Sequence, residues 1–383
     1  MKLLILTASI GGGHNACASA VEKAAAELGW SVEVVDLYAY LGEESILGLG
    51  LKQTKEKGYQ FSLETLARLP SLVEEFYDLN EKREIGAFSF SRMQAVYCAL
   101  RISDLLRQSA PDAVLCTQVY TAQAVDVLVE KGDLSCMTAG VITDFTVQTY
   151  WQDVPHLNHI AVASEELSWQ LAQRGIGPER TLSCGIPIDP KFGKKKREEE
   201  AKRELALPAD RPVVLMMGGS MGFGDVEERA EALARLPKAL YLVVICGNNE
   251  KLEKRLVEKE LPNTRVLGYT HQVDLYMDAA CMLLTKPGGI TTSEALAKGL
   301  PLVVCDPIPG LESRNTEFLQ NRGLAVFVTK TYPVEEAVYN LLEYPATRVA
   351  MAENCRRYGR PQAAYQLCRC LENAFQKREV RVQ

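Results

Sequence analysis

Apolar residues in this chain come in short solid runs, and the runs that open its two halves break on glycine. Lys2-Leu-Leu-Ile-Leu-Thr-Ala8 leads into Gly11-Gly12-Gly13-His14, and Pro212-Val-Val-Leu-Met-Met217 leads into Gly218-Gly219-Ser220-Met-Gly222. A solid run of this length reads as a strand buried on both faces, the kind that parallel sheets are made of. Behind the first glycine loop the spacing predicts a helix from near Asn15 to Leu28, stopped by Gly29, and then a strand at Val32–Asp36. Behind the second come a polar helix and a strand at Tyr241–Cys246. Such alternation in both halves predicts an α/β protein of two parallel-sheet, Rossmann-like domains facing each other, with ligands at the carboxyl ends of the strands.

A third run repeats the theme in one piece. Ala280–Leu284 is a short apolar strand, Pro287-Gly288-Gly289 breaks it, and Leu302–Cys305 resumes a strand. Between them, Thr291 and Glu294 have the spacing of a capping box, and Gly299 stands where a helix ends. Glycines that admit close backbone approach, followed by free helix N–H groups, suit a phosphate. The plainer alternative is an ordinary capped helix in which Glu294 satisfies its own N-terminus.

Between the halves, Lys194-Lys-Lys-Arg197 runs into Glu198-Glu-Glu200, a solvated charge run that marks the boundary. The expected domains are residues 1–193 and 208–350, with 351–383 as a separate C-terminal stretch.

Composition narrows the function. A formal net charge of −6 over 383 residues argues against a nucleic-acid partner. Eleven cysteines lie scattered without a C-x-x-C pair, which reads as reduced, buried thiols rather than zinc ligands. His156, His159 and His271 show no metal spacing, so no metal site is expected. No apolar stretch is long enough to cross a membrane, and Met1–Leu6 meets the glycine loop too early for a signal peptide. The expected setting is cytoplasmic.

One motif points elsewhere. Gly11-x-Gly13-x-x-Ala16, with Asp36 at the end of the next strand, matches the dinucleotide fingerprint and its ribose-binding acid. An NAD(P)-dependent oxidoreductase is therefore a rival. His14 inside that loop and the further glycine loops of the second half weigh against it.

The ordered set of motifs resembles a known family. Gly11–Ala18 resembles its GGGH-x-x-x-A acceptor loop, Ile142-Thr-Asp144-Phe with Trp151 its T-D-F…W segment, and Gly185-Ile-Pro187-Ile-x-Pro190-x-Phe192 its interdomain segment. Cys246–Leu252, Leu267-Gly-Tyr269, Thr285–Pro301 and Ile308-Pro-Gly310 follow in the same order. The family holds bacterial processive diacylglycerol glucosyltransferases, plant monogalactosyldiacylglycerol synthases and, more distantly, the peptidoglycan N-acetylglucosaminyltransferase.

The resemblance implies GT-B architecture with a helical insertion in the first domain, a final helix returning to that domain, and an inverting transfer of hexose from a UDP-sugar to diacylglycerol. No cofactor beyond that co-substrate and no bound metal are implied. Gly219 and Ser220 would cradle the diphosphate opposite Gly288, Gly289 and Thr291, with Lys286 as a candidate phosphate partner. Glu294 would accept hydrogen bonds from the ribose hydroxyls, Gly268 and Tyr269 would hold the uracil, and Glu312 and Asn315 would read the sugar. Gly12, Gly13, Gln148 and Trp151 would line the acceptor side. The general base is His14, whose ordinary pKa lies near working pH, or else Asp144.

Two departures concern specificity. Leu311 replaces a glutamine common in the family, leaving glucose versus galactose open, and Gln148 replaces a histidine. Residues 46–100 mix basic and aromatic side chains, including Lys52, Lys55, Lys57, Phe61, Phe76 and Phe90, and suit an anionic membrane surface on the inner face of the cell membrane. Their alternative role is an amphipathic insertion covering the sheet. The rival acceptor is a polyprenyl lipid, with UDP-N-acetylglucosamine as donor.

Overall fold

The computed structural model describes residues 1–9, 12–41, 90–218, 225–310 and 312–382. They divide into two compact units, Met1–Pro190 with Gln362–Gln383 and Lys191–Pro361. The helical insertion expected in the first unit falls almost wholly within 42–89 and lies outside the described residues.

The first unit is built on a parallel six-stranded sheet in the order β2-β1-β3-β4-β5-β6. Its strands are β1 (Lys2–Thr7), β2 (Ser31–Asp36), β3 (Ala113–Cys116), β4 (Met137–Val141), β5 (His159–Ala161) and β6 (Thr181–Leu182). Leu3, Leu4, Ile5 and Leu6 in β1 are all buried, as a central parallel strand requires. β2 is the edge strand and half exposed, which is why charge interrupts its apolar residues at Glu33.

Helix α1 (Gly12–Glu27) packs beside β1 and β2, and α2 (Leu37–Leu41) follows β2. After the undescribed stretch come α3 (Phe90–Ser109), α4 (Val119–Glu130) and α5 (Glu165–Gln173). Strand order reverses direction between β1 and β3. Such a switch point leaves a crevice at the carboxyl ends of the two strands.

In the second unit, six parallel strands lie in the order β12-β11-β10-β7-β8-β9. They are β7 (Val213–Met217), β8 (Tyr241–Ile245), β9 (Thr264–Leu267), β10 (Met282–Thr285), β11 (Leu302–Val304) and β12 (Ala325–Phe327). Renumbered within the unit this is the dinucleotide-fold order, and its switch point falls between β7 and β10.

Helices α6 (Glu198–Glu204), α7 (Val226–Ala234), α8 (Glu250–Glu258), α9 (Val273–Ala279), α10 (Gly289–Lys298), α11 (Glu312–Asn321), α12 (Val334–Glu343) and α13 (Pro345–Tyr358) complete it. Val214, Met216, Leu242, Val244, Leu284 and Val303 form its core with Ala230, Leu233, Leu252 and Leu256 from the helices.

The C-terminal stretch divides differently from the expected boundary at 351. α13 starts at Pro345 and belongs to the second unit, while α14 (Ala363–Val382) belongs to the first. α14 packs on α1, and Tyr365 donates a hydrogen bond to Glu27 across that contact. None of the eleven cysteines is bridged; eight are buried and three are half-buried. Burial pushes the Cys368 and Cys184 thiols up to about 12, so both stay protonated at neutral pH.

Candidate functional site

The β1/β3 crevice holds His14. α1 starts at Gly12, three residues earlier than expected, so Gly12, Gly13 and His14 form its first turn rather than an open loop. Gly11 lies outside the described residues. From this turn the His14 ring reaches the end of β3, where Nδ1 lies 2.7 Å from the Thr117 carbonyl oxygen. A carbonyl only accepts, so Nδ1 carries the hydrogen and Nε2 keeps its lone pair. Thr143 Oγ1 lies 3.3 Å from the same Nδ1. Burial pulls the His14 pKa down, and the bond to Thr117 offsets part of that effect. The ring is therefore neutral at pH 7.

Asp144 follows Thr143 directly, so the two candidate bases belong to one neighbourhood. Its Oδ2 accepts a hydrogen bond from Gln148 Nε2 at 3.0 Å. Gln148 precedes a 3₁₀ turn at Thr149–Asp153, and that turn carries Trp151 inward. This corrects the expectation for Trp151. Its residue is 3 % exposed, and its ring lies so close to β4 that a Cβ on Gly140 would be 2.5 Å from Cζ3. Trp151 is a core residue packed against β4.

Asp36, the acid of the dinucleotide rival, is engaged locally. It accepts Ser9 Oγ and the backbone N–H groups of Tyr38 at 2.9 Å and Ala39 at 3.1 Å, which makes it the cap of α2. The fingerprint loses its ribose reader.

In the second unit the glycine turn sits at the β7/β10 switch point. Gly288 is the N-cap of α10 and offers no side chain to it. Thr291 is the third helical residue and Glu294 stands in the second turn, so the expected capping box does not form. Thr292 N–H is the first to bond back, to the Gly288 carbonyl. The N–H groups of Gly289, Ile290 and Thr291 have no acceptor among the described residues, and the positive end of the helix dipole coincides with them. At the other end Gly299 adopts φ +66, the left-handed C-cap expected of it.

Side chains brace this turn. Lys286 Nζ pairs with Glu312 Oε1 at 2.8 Å, and Glu312 Oε2 accepts Ile308 N–H at 2.9 Å. A Cβ on Gly288 would lie 3.4 Å from that same Glu312 carboxylate. Asn315 is wholly buried on α11 and donates to the Pro287 carbonyl at 3.0 Å. Glu312 and Asn315 thus both hold the turn in place. The sequence expectation assigned them only to the sugar.

Gly268 and Tyr269 follow β9, three strand spacings from β10, roughly 14 Å. A Cβ at 268 would come within 2.5 Å of Glu253 Oε2, so glycine lets that carboxylate close on the strand end. The Tyr269 ring points outward, 66 % exposed and edge-on to His271. Gly219 and Ser220 lie outside the described residues, as does Leu311.

Lys52, Lys55 and Lys57 of the expected membrane region also lie outside them. Its described end is the start of α3, where Met93, Tyr97 and Leu100 stand at i, i+4 and i+7 and are exposed. No described helix is long and apolar enough to cross a membrane.

Four further groups at these sites escaped the sequence. They are the Thr117 carbonyl, the Thr143 hydroxyl, and an ion pair between Arg229 and Asp306 at the second switch point. A carbonyl carries no side-chain signature, and the pair joins residues 77 positions apart.

The monogalactosyldiacylglycerol (MGDG) synthase family model matches residues 14–188, and the glycosyltransferase family 28 C-terminal domain model matches 213–367. A processive diacylglycerol beta-glucosyltransferase of Bacillus cereus strain AH187 is 30% identical over 370 residues, covering 95% of this chain and 91% of the relative. One from Staphylococcus saprophyticus is 29% identical over 379 residues, covering 97% and 92%. Among solved structures, MurG of Acinetobacter baumannii superposes with a TM-score of 0.63 at 15% identity, covering 97% of this chain and 99% of MurG. That likeness establishes the two-domain GT-B fold.

Proposed function

Since this chain belongs to the monogalactosyldiacylglycerol synthase and processive diacylglycerol glucosyltransferase family, and is therefore a glycosyltransferase, we propose that it moves a hexose from a UDP-sugar to diacylglycerol with inversion at the anomeric carbon. The observation that carries this reading is the open N-terminus of α10. Three N–H groups with no acceptor among the described residues, beside Lys286 at a switch point, form a receptor for phosphate oxygens.

The step balances on the residues present. The acceptor hydroxyl oxygen attacks the anomeric carbon, its proton passes to Nε2 of His14, and the bond from that carbon to the phosphate oxygen breaks. UDP leaves with the electron pair. Its added charge meets the α10 N–H groups, and Lys286 lies beside them. UDP-sugar is the only co-substrate in this reading, and it calls on no metal.

Glu294 receives the ribose hydroxyls and Gly268 with Tyr269 the uracil, mainly through backbone. The relatives' names make glucose the first donor to test and galactose the second. Because the acceptor is a bilayer lipid, the working place is the inner surface of the cell membrane, held peripherally. Met93, Tyr97 and Leu100 on α3 supply an apolar face for that contact.

The test offers radiolabelled UDP-glucose or UDP-galactose to the purified protein with mixed micelles of diacylglycerol. A β-linked glycolipid is expected. Label appearing only on a polyprenyl acceptor, with UDP-N-acetylglucosamine as donor, would replace this reading with its rival.

A further inference from the structure

The second switch point holds an ion pair that the donor reading leaves unused. Arg229, on α7, reaches over the end of β10 to Asp306, just beyond β11. Its Nη2 lies 2.7 Å from Oδ1, and its Nη1 pairs with Oδ2. Both terminal nitrogens are engaged, which fixes the plane of the guanidinium. The arginine side chain is 14% exposed and the aspartate side chain 32%, so the guanidinium is the shielded member of the pair.

Two independent features suggest more than a staple. Asp306 holds φ at +46, a left-handed backbone that costs a non-glycine residue on the order of 1 kcal/mol and recurs at ligand sites. Thr285, at the carboxyl end of β10, is 2 % exposed, and its hydroxyl has no partner among the described residues. A buried hydroxyl left unpaired costs about 1–3 kcal/mol, so such a group marks a place where a ligand completes the bonding. Gly218, Arg229, Thr285, Lys286 and Asp306 line one small void of about 10 Å³, with apolar side chains, Met216 and Leu284 among them, making up the rest of its wall. Lys286 leads directly into the turn that opens α10.

We infer that Arg229, aimed by Asp306, and the Thr285 hydroxyl are a further part of the donor site and bind the diphosphate of the UDP-sugar. This rests on the donor reading above. Arg229 and Lys286 then bring two cations to the diphosphate, each held ready by a carboxylate, Asp306 or Glu312. Asp306 is a positioning residue. Both terminal nitrogens are held by Asp306, Nη2 also lies 3.9 Å from the Asp225 carboxylate, and Thr285 adds a neutral donor from the strand end.

Calorimetric titration of the full chain with UDP and with uridine tests this. The parent is expected to prefer UDP at least tenfold. Arg229→Gln combined with Asp306→Asn keeps the local net charge and leaves an amide pair in place, so a change reports the directed contact. It should weaken UDP at least tenfold and leave uridine within twofold. Thr285→Val keeps the shape of the side chain. It should melt no lower than the parent, bind UDP severalfold more weakly and bind uridine as before.

UDP affinity within twofold of the parent in either variant, with folding intact, overturns the inference and leaves the donor reading standing. Should the double variant fail to fold, Thr285→Val decides alone. A parent that does not distinguish UDP from uridine sinks the donor reading and this inference with it.

Discussion

Nδ1 of His14 donates its hydrogen to the Thr117 carbonyl oxygen 2.7 Å away, across the switch point of the first sheet. That bond sets the tautomer and leaves Nε2 as the basic nitrogen. It does for this ring what a carboxylate does in a catalytic triad, with a peptide carbonyl in its place.

Replacing His14 with alanine should therefore lower transfer by roughly 10²–10⁴-fold while UDP affinity stays unchanged. Kinetics and calorimetry on the same preparation check it. Full turnover in His14→Ala together with loss in Asp144→Asn would move the base to Asp144.

The rate should also follow pH with a definite sign. Burial depresses the His14 pKa below its ordinary 6.5, so the acid limb of the rate profile should lie below pH 6.5 and the profile should be flat from there through neutrality. Linkage adds a stability effect. Below pH 6.5 the unfolded chain binds this proton more readily than the folded one, so the His14 contribution makes stability fall as pH drops toward the depressed value. His14→Gln should remove both effects; an acid limb unchanged in Thr143→Val but shifted in Asp144→Asn would assign the limb to Asp144.

Glu294→Ala should weaken UDP binding by about 1.5–3 kcal/mol, the worth of a charged hydrogen bond. Any change in thermal stability would not come from a lost cap, because Glu294 stands in the second turn of α10. A large drop in melting temperature with UDP affinity intact would make Glu294 a structural residue.

Glu312 holds Lys286 from a position only 5% exposed. Lys286→Met would leave that carboxylate with Ile308 N–H alone, and breaking such a pair typically costs about 3–5 kcal/mol. Chemical denaturation should read that loss, and Lys286→Met with Glu312→Leu should recover part of it. No recovery in the double variant would mean the two side chains are energetically independent.

Trp151 should behave as a core residue. Gly140→Ala places a methyl 2.5 Å from the indole and should destabilise the chain by roughly 1–3 kcal/mol. Trp151→Phe should relieve part of that strain while leaving the KM for the lipid acceptor unchanged. A raised acceptor KM in Trp151→Phe at full stability would return the indole to the acceptor site.

Local chemistry was legible in the sequence because neighbours along the chain dictate it. Solid apolar runs such as Leu3–Leu6 and Val213–Met216 belong to strands buried on both faces, and Gly299 ends its helix because it takes φ +66 without a Cβ penalty. The parallel α/β architecture and the glycine turn before α10 followed from such signals. Tertiary structure decided what those signals serve. Thr291 has capping-box spacing, yet Pro287 and Gly288 let α10 begin at Gly289, and the N–H groups stay open. Trp151 lies in a motif but turns inward, since Gly140 of β4 leaves room for its ring. The partners of His14 and Arg229 sit 103 and 77 residues away and meet only because strand order brings β1 beside β3 and sets β10 between β7 and β11. No periodicity records such a meeting. It depends on how a sheet is assembled, and assembly is a property of the whole chain.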